Sequence, residues 1–169
     1  MAWNPVVTRG IDGLNWLAAL VCHALLAVIC AVTVAQVFLR FALNSPTSWS
    51  EEIALLCLIW FGLLAVAVGV RRHEHVAIFV LRDLLPAPIA VALDYMAQLS
   101  IAVFMFVVMF YSVDLMTLAG AQVLPASGLP KWLLYLPASL GGGLGLLNAV
   151  ANIALRSLGP EDGGERDAT

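Results

Sequence analysis

Charged side chains stop at Asp12 and do not return until Arg40. Between them, Gly13 to Leu39 carries no aspartate, glutamate, lysine or arginine. A second uncharged run covers Ile53–Val70, and further apolar runs extend from about Pro86 to Leu118 and from about Trp132 to Leu155. About 20 apolar residues suffice to cross a bilayer as a helix, so each run predicts a span. The expected fold is an all-α membrane protein with four transmembrane helices, at about residues 14–39, 51–70, 88–114 and 132–155. The first run is too long for the apolar core of a signal peptide, roughly 7–15 residues, and is read as a span. Residues 1–158 form the membrane domain, and the polar tail 159–169 is expected to be disordered.

The breaks between runs are sharply marked. Asn44-Ser45-Pro46-Thr47 is a turn signal. Ser48-Trp49-Ser50-Glu51 fits a capping box, in which Ser48 accepts from a first-turn N–H and Glu51 reaches back to the Ser48 N–H. Glu51 and Glu52 also suit the positive end of a helix dipole, and Trp49 suits a membrane boundary. Arg71 and Arg72 close the second span. Pro86 and Pro88 open the third, where proline is tolerated in a first turn, and Pro125, Gly128 and Pro130 mark the loop before the fourth.

Composition agrees: 62% of the 169 residues are hydrophobic and 11% charged, against roughly 25% charged in soluble domains. The net charge is −3, and four of the eleven acids (Glu161, Asp162, Glu165, Asp167) lie in the tail. No basic tract points to nucleic acid. With the N-terminus inside, the inner segments carry Arg9, Arg71, Arg72, Arg82, Arg156 and Arg166, and the outer ones only Arg40 and Lys131. The positive-inside rule then predicts both termini in the cytoplasm.

Candidate chemistry is sparse. Cys22 and Cys30 would stand about 12 Å apart along one helix, too far to bridge; Cys22, Cys30 and Cys57 read as small apolar residues. His23 stands alone in the first span and reads as a helix-contact or hydrogen-bonding residue. His73 and His75 are two apart, a spacing that does not make a site on one helix face. Neither a nucleophile motif nor a phosphate-binding loop is present, so neither an enzyme nor a cofactor or metal site is expected.

Solitary transporters place ionisable groups near mid-membrane, and the centres of the first, second and fourth spans carry no aspartate, glutamate, lysine or arginine. Asp94 and Asp114 are 20 residues apart, about 30 Å of helix, and mark opposite faces. Asp94 is the candidate for a structural ion pair, with Arg71, Arg72 or Arg82. Small residues provide packing faces: Gly62, Ala65 and Gly69 on the second helix, and Gly141, Gly145 and Ala149 on the fourth, which serve either internal packing or an external helix. Glu51 and Glu52 read either as helix-start residues or as contacts to a partner protein, and Arg40 reads as a boundary anchor.

Val37-Phe38-Leu39-Arg40-Phe41, the turn, Trp49-Ser50-Glu51-Glu52, Trp60 with Gly62, and the exit Arg72-His73-Glu74-His75-Val76 together resemble the DctQ-type small membrane subunit of TRAP (tripartite ATP-independent periplasmic) transporters. The resemblance is strongest over Arg40 to Ile78. The acid the family often places after the exit histidine is matched only loosely, by Asp83. The resemblance implies a bacterial inner-membrane scaffold beside a large multi-helix subunit that carries substrate and sodium. A periplasmic binding protein would deliver the substrate, commonly an organic acid anion. Arg40, Trp49, Glu51, Glu52, Gly62, Gly69, Arg71, Arg72, His75, Gly141 and Gly145 are then the candidates for contact with protein partners, with lipid around the rest. The competing reading is a self-sufficient homo-oligomeric transporter or channel, against which the missing mid-membrane charge counts.

Overall fold

The computed structural model describes residues 5–45, 47–71 and 87–154. The polar tail, the link 72–86 with Arg72, His75 and Arg82, and Leu155 lie outside them. Among the described residues, four helical segments are long and apolar enough to cross a membrane, the fourth running Lys131–Ala154; the α-helices are α1 (Pro5–Phe41), α2 (Ser48–Arg71), α3 (Ala87–Ala119) and α4 (Leu136–Ala154). A 3-10 turn, Lys131–Leu134, leads into α4, so the expected fourth run is a tight turn followed by an α-helix. Helix α1 starts at Pro5, before the expected span at about residue 14, and two polar residues near its start, Asp12 and Asn15, have partners on α2 and α4, described below.

Each break has a local cause. Past α1, Asn44 adopts a left-handed φ of 51°, which asparagine tolerates better than most residues, and the Ser45 N–H turns back to the Leu39 carbonyl at 3.0 Å. The expected capping box at α2 does not form. Helix α2 begins at Ser48, so the capping residue is Thr47. Ser50 donates to the Thr47 carbonyl at 2.7 Å, which leaves the Thr47 hydroxyl as donor to Ser50 Oγ at 2.9 Å. Helix α3 ends on Gly120, whose φ of +49° lets its N–H reach the Met116 carbonyl, a glycine-terminated helix end. The chain then makes a small hairpin in which Val123 and Pro130 pair, with Gly128 at φ +70° near its tip.

The helices lie in a row in the order α1, α2, α4, α3: α1 packs on α2, α2 on α4 and α4 on α3. Helix α4 sits close to both neighbours because it is lined with glycine. A Cβ on Gly141 would stand 2.7 Å from the Leu63 carbonyl oxygen of α2, and one on Gly142 would stand 3.0 Å from the Met109 nitrogen of α3. Without a hydrophobic drive between helices in lipid, this close backbone approach is a main source of association. The core it creates holds Val70, Ala102, Met105 and Ala149, with Ile101 and Leu146 against it.

Candidate functional site

Polar side chains gather at the two ends of the row. At one end, Arg71 closes α2 and crosses to both neighbours. Its Nε and Nη2 donate to Asp12 Oδ1 of α1 at 3.0 and 2.8 Å, and its Nη1 donates to Asn152 Oδ1 of α4 at 3.0 Å. Asn152 in turn donates to the Val70 carbonyl at 2.9 Å. One turn deeper, Asn15 and Asn148 exchange amide hydrogen bonds at 2.8 and 2.7 Å. Asn148 also donates to the Ala67 carbonyl of α2, and Asn15 to the Ile11 carbonyl of its own helix. Asn148 and Asn152 are 0% exposed, and amides buried so completely persist only when their hydrogen-bonding groups are matched. The set ties α1, α2 and α4 together at the Arg71 end.

At the other end, two adjacent acids have different partners. Glu52 reaches the hairpin between α3 and α4. Its Oε1 accepts from the Ala126 N–H at 2.9 Å, and its Oε2 accepts from the Ser127 N–H at 2.8 Å and the Ser127 hydroxyl at 2.7 Å. Glu51 accepts from Gln36 Nε2 of α1 at 3.1 Å, instead of folding back on Ser48. Trp60 donates from Nε1 to the Leu133 carbonyl at 3.0 Å, fixing the 3-10 turn to α2. These bonds hold the hairpin as a defined surface at the Glu52 end.

The two acids therefore respond differently to amidation. In Glu51→Gln one carbonyl oxygen still accepts from Gln36, so the fold should be unchanged. In Glu52→Gln a single carbonyl oxygen faces three donors, and the new amide hydrogens point at an N–H. Hydrogen exchange at the Ala126 and Ser127 amides should speed up roughly tenfold, because a charged acceptor makes the stronger bonds. Unchanged exchange there would show that the carboxylate does not hold the hairpin.

The other sequence candidates are spread over the row. Arg40 is exposed at the end of α1, its guanidinium carbon 5.8 Å from the Phe41 ring centroid, and Trp49 is exposed at the start of α2. Gly62 faces open space, with nothing within 4 Å of the place a methyl would take, and Gly69 is half-buried. Gly141 and Gly145 are buried inside the chain, so of the two roles open to the α4 glycine face the row uses internal packing. Asp94 is buried, at 6% exposure. Arg71 is engaged with Asp12 and Asn152 instead of with Asp94, and Arg72 and Arg82 lie outside the described residues.

Asp12, Asn15, Gln36, Asn148, Asn152 and Ser127 were not marked by any motif. One signal was available: Asn148 and Asn152 continue the Gly141–Gly145 face at helical spacing, so amides follow the stripe where backbones meet.

A family model described as "Tripartite ATP-independent periplasmic transporters, DctQ component" matches residues 29–158. Its range takes in Glu51, Glu52, Arg71 and the α4 glycines and begins after Asp12 and Asn15. The chain is 29% identical over 132 residues to the ectoine TRAP transporter small permease protein TeaB of Halomonas elongata, covering 75% of this chain and 68% of that one. It is 30% identical over 90 residues to the sialic acid TRAP transporter small permease protein SiaQ of Vibrio cholerae, 53% of this chain and 52% of that one. Over 103 residues it is 31% identical to the sialic acid TRAP transporter permease protein SiaT of Haemophilus influenzae. That match covers 60% of this chain but 17% of SiaT, whose matching stretch is thus joined to a much longer remainder.

Proposed function

Because the chain belongs to the DctQ-component family of tripartite ATP-independent periplasmic transporters, we propose that it supports uptake as a scaffold without itself carrying the solute. It is a multi-pass protein of the bacterial inner membrane. In this reading it holds a large multi-helix membrane subunit that moves an organic acid anion together with sodium. A periplasmic binding protein delivers the anion, and the hairpin end of the row contributes to docking. The chain performs no catalysis.

The observation that carries the reading is the single-layer row. Helices α1 and α3 stand at opposite edges, so the four spans do not surround a central path. The described polar residues of the Arg71 end bond helix to helix. Apolar side chains dominate both outer surfaces. Relatives named for two different solutes, sialic acid and ectoine, match this chain at similar identity, which favours solute choice by the other components.

Purification in mild detergent after co-expression with the large subunit should recover the two in fixed ratio. Proteoliposomes holding this chain alone should take up no solute, and those holding both membrane proteins with the binding protein should. Uptake by this chain alone would replace the scaffold reading with that of a self-sufficient homo-oligomeric transporter or channel.

The arginine bias further supports both termini, and the Arg71 end, in the cytoplasm. In a background with Cys22, Cys30 and Cys57 replaced, Ser45→Cys should react with an impermeant thiol reagent added from the periplasm. Reaction from the cytoplasm alone would reverse the orientation.

A further inference from the structure

Helix α1 carries two seams. The first, Ile11, Asn15, Ala18, Cys22, Leu25, Ile29, Val32, Gln36 and Leu39, is buried or half-buried against α2. Its steps alternate four and three residues, the spacing of a helix that packs along its length on another. The second, on the opposite side, has the same alternation: Trp16, Leu20, His23, Ala27, Cys30, Val34, Val37 and Phe41. Every one of these is exposed, Trp16 and Val34 at 69% and Phe41 at 79%. At 100° per residue all eight fall within about 60° of His23 around the helix.

His23 gives this second seam a chemical requirement. Its Nδ1 lies 2.6 Å from the Ala19 carbonyl oxygen. A carbonyl can only accept, so Nδ1 carries the proton, and in the imidazole tautomer with its proton there Nε2 is the acceptor. The apolar run Gly13–Leu39 is centred on residue 26, so His23 stands about 5 Å from mid-membrane. Hydrocarbon offers no donor there, and an unmatched polar group in it is costly.

We propose that the second seam of α1 seats one helix of the large membrane subunit, which places a hydrogen-bond donor (a hydroxyl, amide or indole N–H) opposite His23 Nε2. The proposal rests on the scaffold reading and adds the face and the chemistry of the contact. A second copy of this chain is the poorer occupant. Copies inserted with the same topology pair in parallel, and a symmetric pair would set one bare Nε2 against another. The long remainder joined to the matching stretch in SiaT also favours a larger protein as the neighbour. Ala27 and Cys30, beside His23, leave room for close backbone approach.

The test is recovery of the large subunit with the tagged chain after co-expression, normalised to membrane-inserted chain. His23→Leu should weaken recovery roughly threefold, the scale of one hydrogen bond within a membrane, and His23→Gln, which keeps an acceptor, should restore it. Ala27→Phe should reduce recovery at least about tenfold by holding the helices apart. Val28→Phe, exposed but off both seams, should have no effect. Equal recovery for wild type, His23→Leu and Ala27→Phe overturns the seam and leaves the scaffold reading standing. Failure of the wild type to recover any large subunit overturns both. Disulfide-linked pairs of this chain through Cys30, in the co-expressed membranes, would assign the seam to a second copy and also overturn it.

Discussion

Gly141→Ala should destabilise the folded chain more than the same change at any other glycine on α4. The added methyl would stand 2.7 Å from the Leu63 carbonyl oxygen and 3.1 Å from its carbon. Both atoms belong to the α2 backbone, which cannot swing aside as a side chain can. Two effects compete. Replacing glycine in a helix gains roughly 1 kcal/mol of propensity, while overpacking a tight contact costs roughly 1–3 kcal/mol. At Gly141 the cost should win, because only separation of α2 from α4 relieves the contact. At Gly145 the nearest obstacle is Met105 Sδ at 2.8 Å, the end of a flexible side chain, so the two effects should nearly cancel. At Gly62 nothing lies within 4 Å, so the propensity gain should show on its own. Unfolding midpoints in a mixed-detergent titration should fall in the order Gly62→Ala, Gly145→Ala, Gly141→Ala. A Gly141→Ala midpoint at or above wild type would mean that α4 does not press on α2 at this point.

Asn148→Leu should produce the second large loss, and its partner change should recover part of it. The single change removes three hydrogen bonds and strands Asn15 Oδ1 against leucine, while Asn15 Nδ2 keeps only its bond to the Ile11 carbonyl. Intramembrane hydrogen bonds average about 0.6 kcal/mol each and reach about 1.7, so a loss of roughly 2–3 kcal/mol is expected once the stranded oxygen is added. Asn15→Leu/Asn148→Leu removes both amides, and the Ala67 carbonyl keeps its place in the α2 helix. The double variant should therefore be more stable than Asn148→Leu alone, which is the reverse of additivity. A double variant less stable than either single one would show that the two side chains act independently.

The four membrane-crossing helices of the described residues were legible in the sequence, because apolar length and turn chemistry are local properties. Asn44, Gly120 and Gly128 stand where their freedom at positive φ is needed. Partners were much less legible. Glu51 and Glu52 are neighbours with the same charge, yet one meets α1 and the other meets a hairpin 75 residues away. Only the three-dimensional arrangement distinguishes them. The Ser48–Glu51 spacing satisfied the rule for a capping box, but the chain enters the helix one residue earlier and Thr47 takes the capping place. The order of the row could not be read either, since apolar helices differ little in their power to pack. What set it was glycine, in adjacent positions 141 and 142 that point α4 at two different neighbours.

The placement of α4 has a consequence for how the protein is made. Synthesis proceeds from the N-terminus, so α1, α2 and α3 enter the membrane before α4 exists. Among the described residues, α3 has its main contacts with α4 and the turn before it. Until α4 arrives, the nascent chain is a helical hairpin and a separate helix, with Asn15 and one side of Arg71 still awaiting their amides. Assembly is thus deferred to the last span, whose glycines and asparagines close the row in one step. Ribosomes stalled before residue 131 should leave α3 accessible to membrane chaperones, and release of the full chain should end that exposure.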